Sequence, residues 1–215
     1  MIIGICGFIG SGKGTFGDHL VNKHGFKSMS FAKSLKDAVS VVFCWPRDLL
    51  EGDTKESREW REIPDKWWSR KMGKPVTPRW VLQYIGTDVM RNHFADNIWI
   101  LNLEKQIHDH QESDIVITDV RFPNEVKMLR KLKRGSTLWV RKKELPEWYD
   151  LAHAANSDTF LHAPECHDEM IKLGIHPSEW AWIGQPMDHI IYNDGTIEDL
   201  QHKADLLINN LRRND

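Results

Sequence analysis

The chain has 215 residues and a mass of 25.1 kDa, the length of one domain or of one domain with a sizeable insertion. Hydrophobic residues make up 40% and charged residues 28%, which excludes a wholly disordered chain, and no apolar run approaches the ~20 residues that span a bilayer. Lys+Arg 29 against Asp+Glu 31 leaves a net charge of −2, which excludes a chain-wide basic field for gripping nucleic acid. Cys6, Cys44 and Cys166 are odd in number and far apart, so a reducing compartment fits better than a disulfide framework.

Residues 2–6, IIGIC, read as a buried strand that runs into glycines. The start is apolar but short and lacks a basic n-region, so it is not expected to be a signal peptide. A helix is expected over 13–24, opening inside the glycine loop, and a second strand over 26–31. Residues 33–44 form an amphipathic helix on Leu35, Ala38, Val39, Val42 and Phe43, ended by Trp45-Pro46. The segment 51–78 is polar, with arginines and lysines among tryptophans, and reads as a mobile, partly helical excursion. A helix over 79–93 carries Val81, Ile85 and Val89 on one side. Arg79, Gln83 and Thr87 lie on the other, with Gly86 beside them.

A helix over 97–110, a strand over 114–119 ending in Asp119, a helix over 123–133 and a strand over 136–141 follow. Residues 142–176 read as an irregular lid or insertion, rich in His, Pro and acids. A last strand at 189–192 and the turn Asn193-Asp194-Gly195 lead to Thr196, which caps a helix with Ile197, Leu200, Ala204, Leu207 and Leu211 inward. Strands alternating with helices argue for one domain with a parallel α/β sheet flanked by helices, interrupted by the excursions at 51–78 and 142–176.

Gly7-Phe8-Ile9-Gly10-Ser11-Gly12-Lys13-Gly14-Thr15 follows a strand and opens a helix, the context of a phosphate-binding loop. Backbone N–H groups and the helix N-terminus meet phosphate oxygens there, and Lys13 reaches the outer phosphates as a point charge. The residue after Lys13 is Gly14, and the hydroxyl for Mg²⁺ comes one place later, at Thr15. That form resembles the loop of small nucleotide kinases such as adenylate kinase. Asp119, at the end of an apolar strand, is placed either to orient Mg²⁺-bound water or to cap a helix. Arg121 is at the carboxyl edge of the sheet, where α/β ligands bind. There it neutralises a transferring phosphoryl group or stays a solvated arginine. The polar helix face of Arg79, Gln83, Gly86 and Thr87 suits a small polar ligand: a guanidinium for a monophosphate, an amide for base edges, a glycine for close approach.

SFAKSLKDAV (30–39), SREW (57–60), TPRWVLQYIGTDVMRNHFADNIWI (77–100), ITDVRFPNEV (117–126), HPSE (176–179) and YNDGTIEDL (192–200) stand in this order around the loop. Together they resemble the bacteriophage deoxynucleoside monophosphate kinases of the T-even type. The likeness touches most of 1–141 and 176–211 and leaves 142–175 unmatched. It implies a P-loop kinase that moves the γ-phosphoryl of ATP to a dNMP, giving dNDP and ADP for phage DNA precursor synthesis in the cytoplasm of the infected host. By the same resemblance Gly10, Ser11, Gly12, Lys13, Gly14 and Thr15 hold ATP phosphates, and Thr15 and Asp119 serve Mg²⁺. Lys36, Arg58 and Arg79 take the deoxynucleotide and its phosphate. Gln83, Gly86, Thr87 and Trp99 shape the nucleoside pocket, and Asp119, Arg121 and Glu125 close it. Lys13, Arg121 and Asp119 are the expected catalytic groups. A homodimer is plausible for the family type; no membrane and no stable nucleic-acid partner is expected.

The T-even type carries Lys-Arg before its Ser-Gly-Lys, where this chain has Ile9-Gly10, and Asp where this chain has Gly14. Two charged groups are missing from the loop, and Arg141 is a candidate replacement. Other readings are a kinase of modified pyrimidines within DNA, a dephospho-CoA kinase-like enzyme, and a non-catalytic nucleotide binder. His162, Cys166, His167 and Asp168 match no trusted zinc spacing. The basic run 127–134 reads as a solvated helix end. Trp60, Trp67 and Trp68 read as lid packing before base stacking.

Overall fold

The computed structural model describes residues 1–110 and 113–214. They fall into two compact units, Met1–Met29 with Glu112–Asp215, and Ser30–Gln111.

The first unit is built on a five-stranded parallel sheet. Its strands are β1 (Ile2–Cys6), β2 (Lys27–Met29), β3 (Ile115–Ile117), β4 (Gly135–Arg141) and β5 (His189–Tyr192), in the order β2-β3-β1-β4-β5. β1 is central and buried throughout, as an unbroken apolar run in a parallel sheet should be. It pairs Ile2 with Ile115 on one side and Ile2 with Gly135 on the other, in parallel register. The chain steps from β1 to opposite sides of the sheet, so the carboxyl end of β1 is the switch point where α/β sheets bind ligands. β2 and β3 are shorter than the sequence pattern implies. Asp119 therefore lies in the loop after β3 rather than at a strand end.

Helices α1 (Lys13–His24), α7 (Pro123–Lys131), α8 (Tyr149–Ala155), α9 (Ala163–Lys172) and α10 (Ile197–Asn214) complete this unit. α1 ends on Gly25 in the left-handed region, and α10 begins on Thr196, whose hydroxyl and Asp199 carboxylate cap it reciprocally. Ile3, Ile5, Phe16, Leu20, Val116, Leu138, Val140, Leu200, Ala204 and Ile208 form the core. The inward stripe of α10 runs through Leu200, Ala204 and Ile208, while Ile197, in the first turn, is exposed. The segment 142–176 is not irregular: α8 and α9 pack on each other there.

The second unit is helical: α2 (Lys33–Phe43), α3 (Lys55–Trp60), α4 (Lys66–Met72), α5 (Pro78–Gln83), a π-helix (Tyr84–Phe94) and α6 (Ile98–His108). Thr54, Asp65 and Thr77 each accept a backbone N–H bond at the start of α3, α4 and α5. Its core is Leu35, Val39, Trp45, Leu50, Val76 and Val81, with Trp60, Trp68, Trp80 and Trp99 packed around them. Half of the chain's ten tryptophans are thus scaffold for this small unit. On α2 the buried line is Leu35, Val39 and Phe43; Ala38 and Val42, expected inward, are exposed, lying about 100° and about 60° to one side of Val39. The helix expected over 79–93 changes pitch after Gln83. Its π-turns rotate Thr87 away from the simple i, i+4, i+8 line of Arg79 and Gln83.

Candidate active site

The phosphate loop leaves β1 and enters α1. Gly7, Gly10 and Gly12 take positive φ, and Gly12, at φ 97°, is the residue before the helix. Gly12 faces Asn193, so a side chain there would meet both backbone strain and a neighbour. Ser11 is 2% exposed, and its Oγ makes no hydrogen bond within the described residues. Lys13 Nζ donates to the Phe8 carbonyl at 2.8 Å. Burial pushes the Lys13 ammonium down to about 8. The Arg121 charge works in the same direction, while Glu179 and Cys6 oppose it. Cys6, wholly buried at the end of β1, has its thiol pushed well up by burial and then by Glu125, so it is an inert core group.

The loop after β3 supplies Asp119, half-buried, and Arg121, exposed. Glu125 is 2% exposed. One of its carboxylate oxygens accepts the N–H groups of Arg121 (2.7 Å) and Phe122 (3.1 Å). Glu125 therefore fixes the backbone from which the Arg121 side chain projects. Arg121 Nη1 donates to Glu179 Oε1 at 3.1 Å. Glu179 belongs to the HPSE segment. Its place against Arg121 and in the field of Lys13 was invisible from spacing, because 58 residues separate it from Arg121.

Asn193 is the second residue that spacing missed. Its Nδ2 donates to the Ser11 carbonyl at 2.8 Å, and its own N–H donates to the Arg141 carbonyl at 2.8 Å. The turn after β5 thus holds the phosphate loop from across the sheet. Arg141, last in β4, lies over the rings of Trp139 (4.9 Å) and Tyr192 (5.6 Å), and its buried Nε makes no hydrogen bond within the described residues. Phe8, in the loop, packs against Trp148 (5.6 Å), Tyr149 (6.2 Å) and Trp182 (5.1 Å). Asn156 ties the end of α8 to the carbonyls of Trp180 and Ile183, both at 2.9 Å. The 142–183 stretch is thereby an aromatic buttress behind the phosphate loop.

The acceptor-side candidates lie in the second unit. Lys36 Nζ pairs with Glu51 at 2.5 Å, and Arg79 Nη1 pairs with Glu62 at 3.2 Å. Arg58 Nη1 donates to the Asp53 carbonyl at 2.7 Å and is exposed. Gln83 and Thr87 are half-buried. Gly86 is buried, and Trp99 Nε1 donates to its carbonyl at 2.9 Å. Each of the three cations already faces a carboxylate or carbonyl, so an incoming phosphate must exchange with these partners. His162, Cys166, His167 and Asp168 lie on or beside α9 and do not bring three ligand atoms together among the described residues.

Residues 51–153 match the family model for deoxynucleotide monophosphate kinase. A protein of Acanthamoeba polyphaga mimivirus, provisionally named a deoxynucleotide monophosphate kinase, is 34% identical over 145 residues, 61% of this chain and 69% of that one. The deoxynucleoside-5'-monophosphate kinase of Escherichia phage T5 is 44% identical over 55 residues, 26% of this chain and 22% of that one. Among solved structures, TT1252 from Thermus thermophilus superposes over 98% of this chain and 97% of its own, with 18% identity and a TM-score of 0.48. No helix of the described residues is long and apolar enough to cross a membrane. With a glycine loop at the switch point of a parallel sheet and a relative of this identity and coverage, the chain belongs to the deoxynucleotide monophosphate kinase family of P-loop phosphotransferases.

Proposed function

We propose that this chain transfers the γ-phosphoryl of ATP to a deoxynucleoside monophosphate, yielding dNDP and ADP, in the cytoplasm of an infected host cell. The observation that carries the reading is the glycine loop that leads from the carboxyl end of β1 into α1, with Lys13 Nζ on the Phe8 carbonyl and a buried Ser11 hydroxyl that makes no hydrogen bond among the described residues. The acceptor phosphate has a second pKa of about 6 and is largely a dianion at neutral pH, so no strong general base is required. Catalysis is then alignment and charge neutralisation. Lys13 leaves the Phe8 carbonyl for the phosphate oxygens, and the loop N–H groups hold the β-phosphate. Arg121 exchanges Glu179 for the transferring group. Glu125 holds the Arg121 backbone still while this happens.

The Thr15 hydroxyl and the Asp119 carboxylate are hard oxygen donors of the kind Mg²⁺ takes, and the ion, when bound, supplies charge for the β- and γ-oxygens. In the second unit Arg58, Arg79 and Lys36 are the groups assigned to the acceptor phosphate, and Gln83, Gly86, Thr87 and Trp99 to its nucleoside. Arg141, over Trp139 and Tyr192, is assigned to the ATP side.

The test is ADP formation from ATP and Mg²⁺ with each dNMP in turn and dephospho-CoA as control. Turnover with one or more dNMPs and none with dephospho-CoA is expected. Lys13→Ala should lower kcat by about a thousandfold or more, the scale of one lost transition-state charge contact. Near-native kcat in that variant would remove the phosphate-loop assignment.

A further inference from the structure

The phosphate-loop helix carries a second cluster, at its far end from the loop, that phosphoryl transfer does not use. His19 and His24 of α1 both direct Nε2 at Asp205 Oδ1 of α10, each at 2.8 Å. The three ligand atoms lie within 4.8 Å of one another. The side chains of His19, His24 and Asp205 are 10%, 9% and 20% exposed. Beneath them Leu20, Ala204 and Ile208 are fully buried in the core on which α1 and α10 pack together. Arg212 Nη2 donates to the His24 carbonyl at 3.2 Å, which steadies the end of α1 and the backbone of that imidazole.

Two imidazoles and one carboxylate are a donor set for zinc-class divalent cations. We propose that His19, His24 and Asp205 form a structural zinc site that fastens α1 to α10, with water completing a four-coordinate shell. Zn–N and Zn–O bonds of about 2.0–2.2 Å hold tetrahedral ligand atoms roughly 3.3–3.5 Å apart. The carboxylate oxygen therefore needs to withdraw by about half an ångström, and the two nitrogens, within 4.8 Å of each other, need to settle at the same spacing. On binding, each imidazole presents an unprotonated Nε2 and keeps its proton on Nδ1. The neighbouring cations are Lys23 and Arg212. Lys23 is 58% exposed and bonds the other oxygen, Oδ2, at 2.7 Å, so its flexible ammonium can stay there or move to solvent. Arg212 is directed at the His24 carbonyl and at Asp114 Oδ2, not at Asp205.

The experiment adds Zn²⁺ to the metal-stripped full chain and reads stoichiometry by calorimetry, Tm with and without the ion, and visible absorption of the Co²⁺ form. Expected are one equivalent bound, tetrahedral Co²⁺ bands, and a rise in Tm of roughly 5–10 °C at a hundredfold excess over Kd. In His24→Gln and Asp205→Asn all three signals should vanish, and in Cys166→Ser all three should remain. The readout is the Zn²⁺-dependent difference in Tm within each variant, so a weaker fold in a variant does not mimic the result. His19→Gln replaces either variant that fails to fold. Absence of saturable one-equivalent binding would overturn the proposal, as would binding that survives loss of these ligands but disappears in Cys166→Ser.

Discussion

Lys13 holds the most pH-sensitive charge at the phosphate loop. Burial first, and then Arg121, set its pKa at about 8 against the ordinary 10.5. Phosphate oxygens favour the ammonium, so binding ATP raises that value again. The folded pKa is depressed, so between about pH 8 and 10.5 the unfolded chain holds a proton that the folded one lacks; fold stability gains from this group as pH rises through that window. Binding has the opposite sign: ATP affinity should fall as pH rises through about 8, with proton uptake on binding. Calorimetry at about pH 8.5 in two buffers of unlike ionisation enthalpy measures that uptake; equal heats would show that Lys13 is already charged. Asn193 makes a second residue-scale prediction. Its amide holds the Ser11 carbonyl, so Asn193→Ala should raise KM for ATP about two- to tenfold, the worth of one hydrogen bond, and leave KM for dNMP unchanged. Asn193→Asp should be worse, because a carboxylate would then face that carbonyl. An unaltered KM for ATP in both variants would end the positioning role.

Among the elements, the π-helix Tyr84–Phe94 carries the most consequence. Its residues fit an α-period as well, and the wider i→i+5 turn persists because tertiary partners support it. Trp99 bonds the Gly86 carbonyl, and Arg91, 5% exposed, donates to the Asp96 carbonyl at 3.1 Å. A Cβ on Gly86 would stand 2.6 Å from Leu35 Cδ2. Gly86→Ala should therefore cost about 1–3 kcal/mol of stability by overpacking, and much less in a Leu35→Ala background, where that space is open. Urea unfolding of the four chains of this cycle gives the coupling. Equal costs in both backgrounds would show that Leu35 is not the neighbour that excludes a side chain at Gly86. The pair α8–α9 was illegible for a different reason. Neither Trp148 nor His162 offers a side-chain cap, so the strongest start signal is missing and only first-turn marks remain, Asp150 in α8 and Pro164 and Glu165 in α9; aromatic packing and Asn156 hold the pair. By contrast, α3, α4 and α5 each carry the Thr or Asp that marks a helix start.

Across the whole molecule, acid should unfold both units through their carboxylates. In the first, Lys23 and then the two histidines hold Asp205 well below the usual carboxylate range, although burial works against them. In the second, burial raises Asp37 and Glu51, but bonds from Lys33 and Arg47, and from Lys36 and Arg47, outweigh it. A depressed carboxylate adds stability that is complete above its unfolded pKa, about 4, and is lost as pH falls through the folded value. Urea midpoints should hold between pH 7 and 5 and fall below about pH 4. A midpoint that already drops between pH 7 and 5 would place the loss on histidines instead.

The phosphate loop, the parallel α/β class and the amphipathic helices were determined by the sequence alone. Each rests on local rules: a glycine run after a buried strand, apolar residues at one period, a capping hydroxyl. The family likeness was legible because its motifs are contiguous runs. What only the tertiary structure decided are the pairings across the chain. Asn193 meets Ser11 across 182 residues, Glu179 meets Arg121 across 58, and Asp205 meets His24 across 181. Such bonds carry no periodic signature. They form when the sheet order brings separate loops and helices together, and that order follows from burying the apolar faces of all five strands at once.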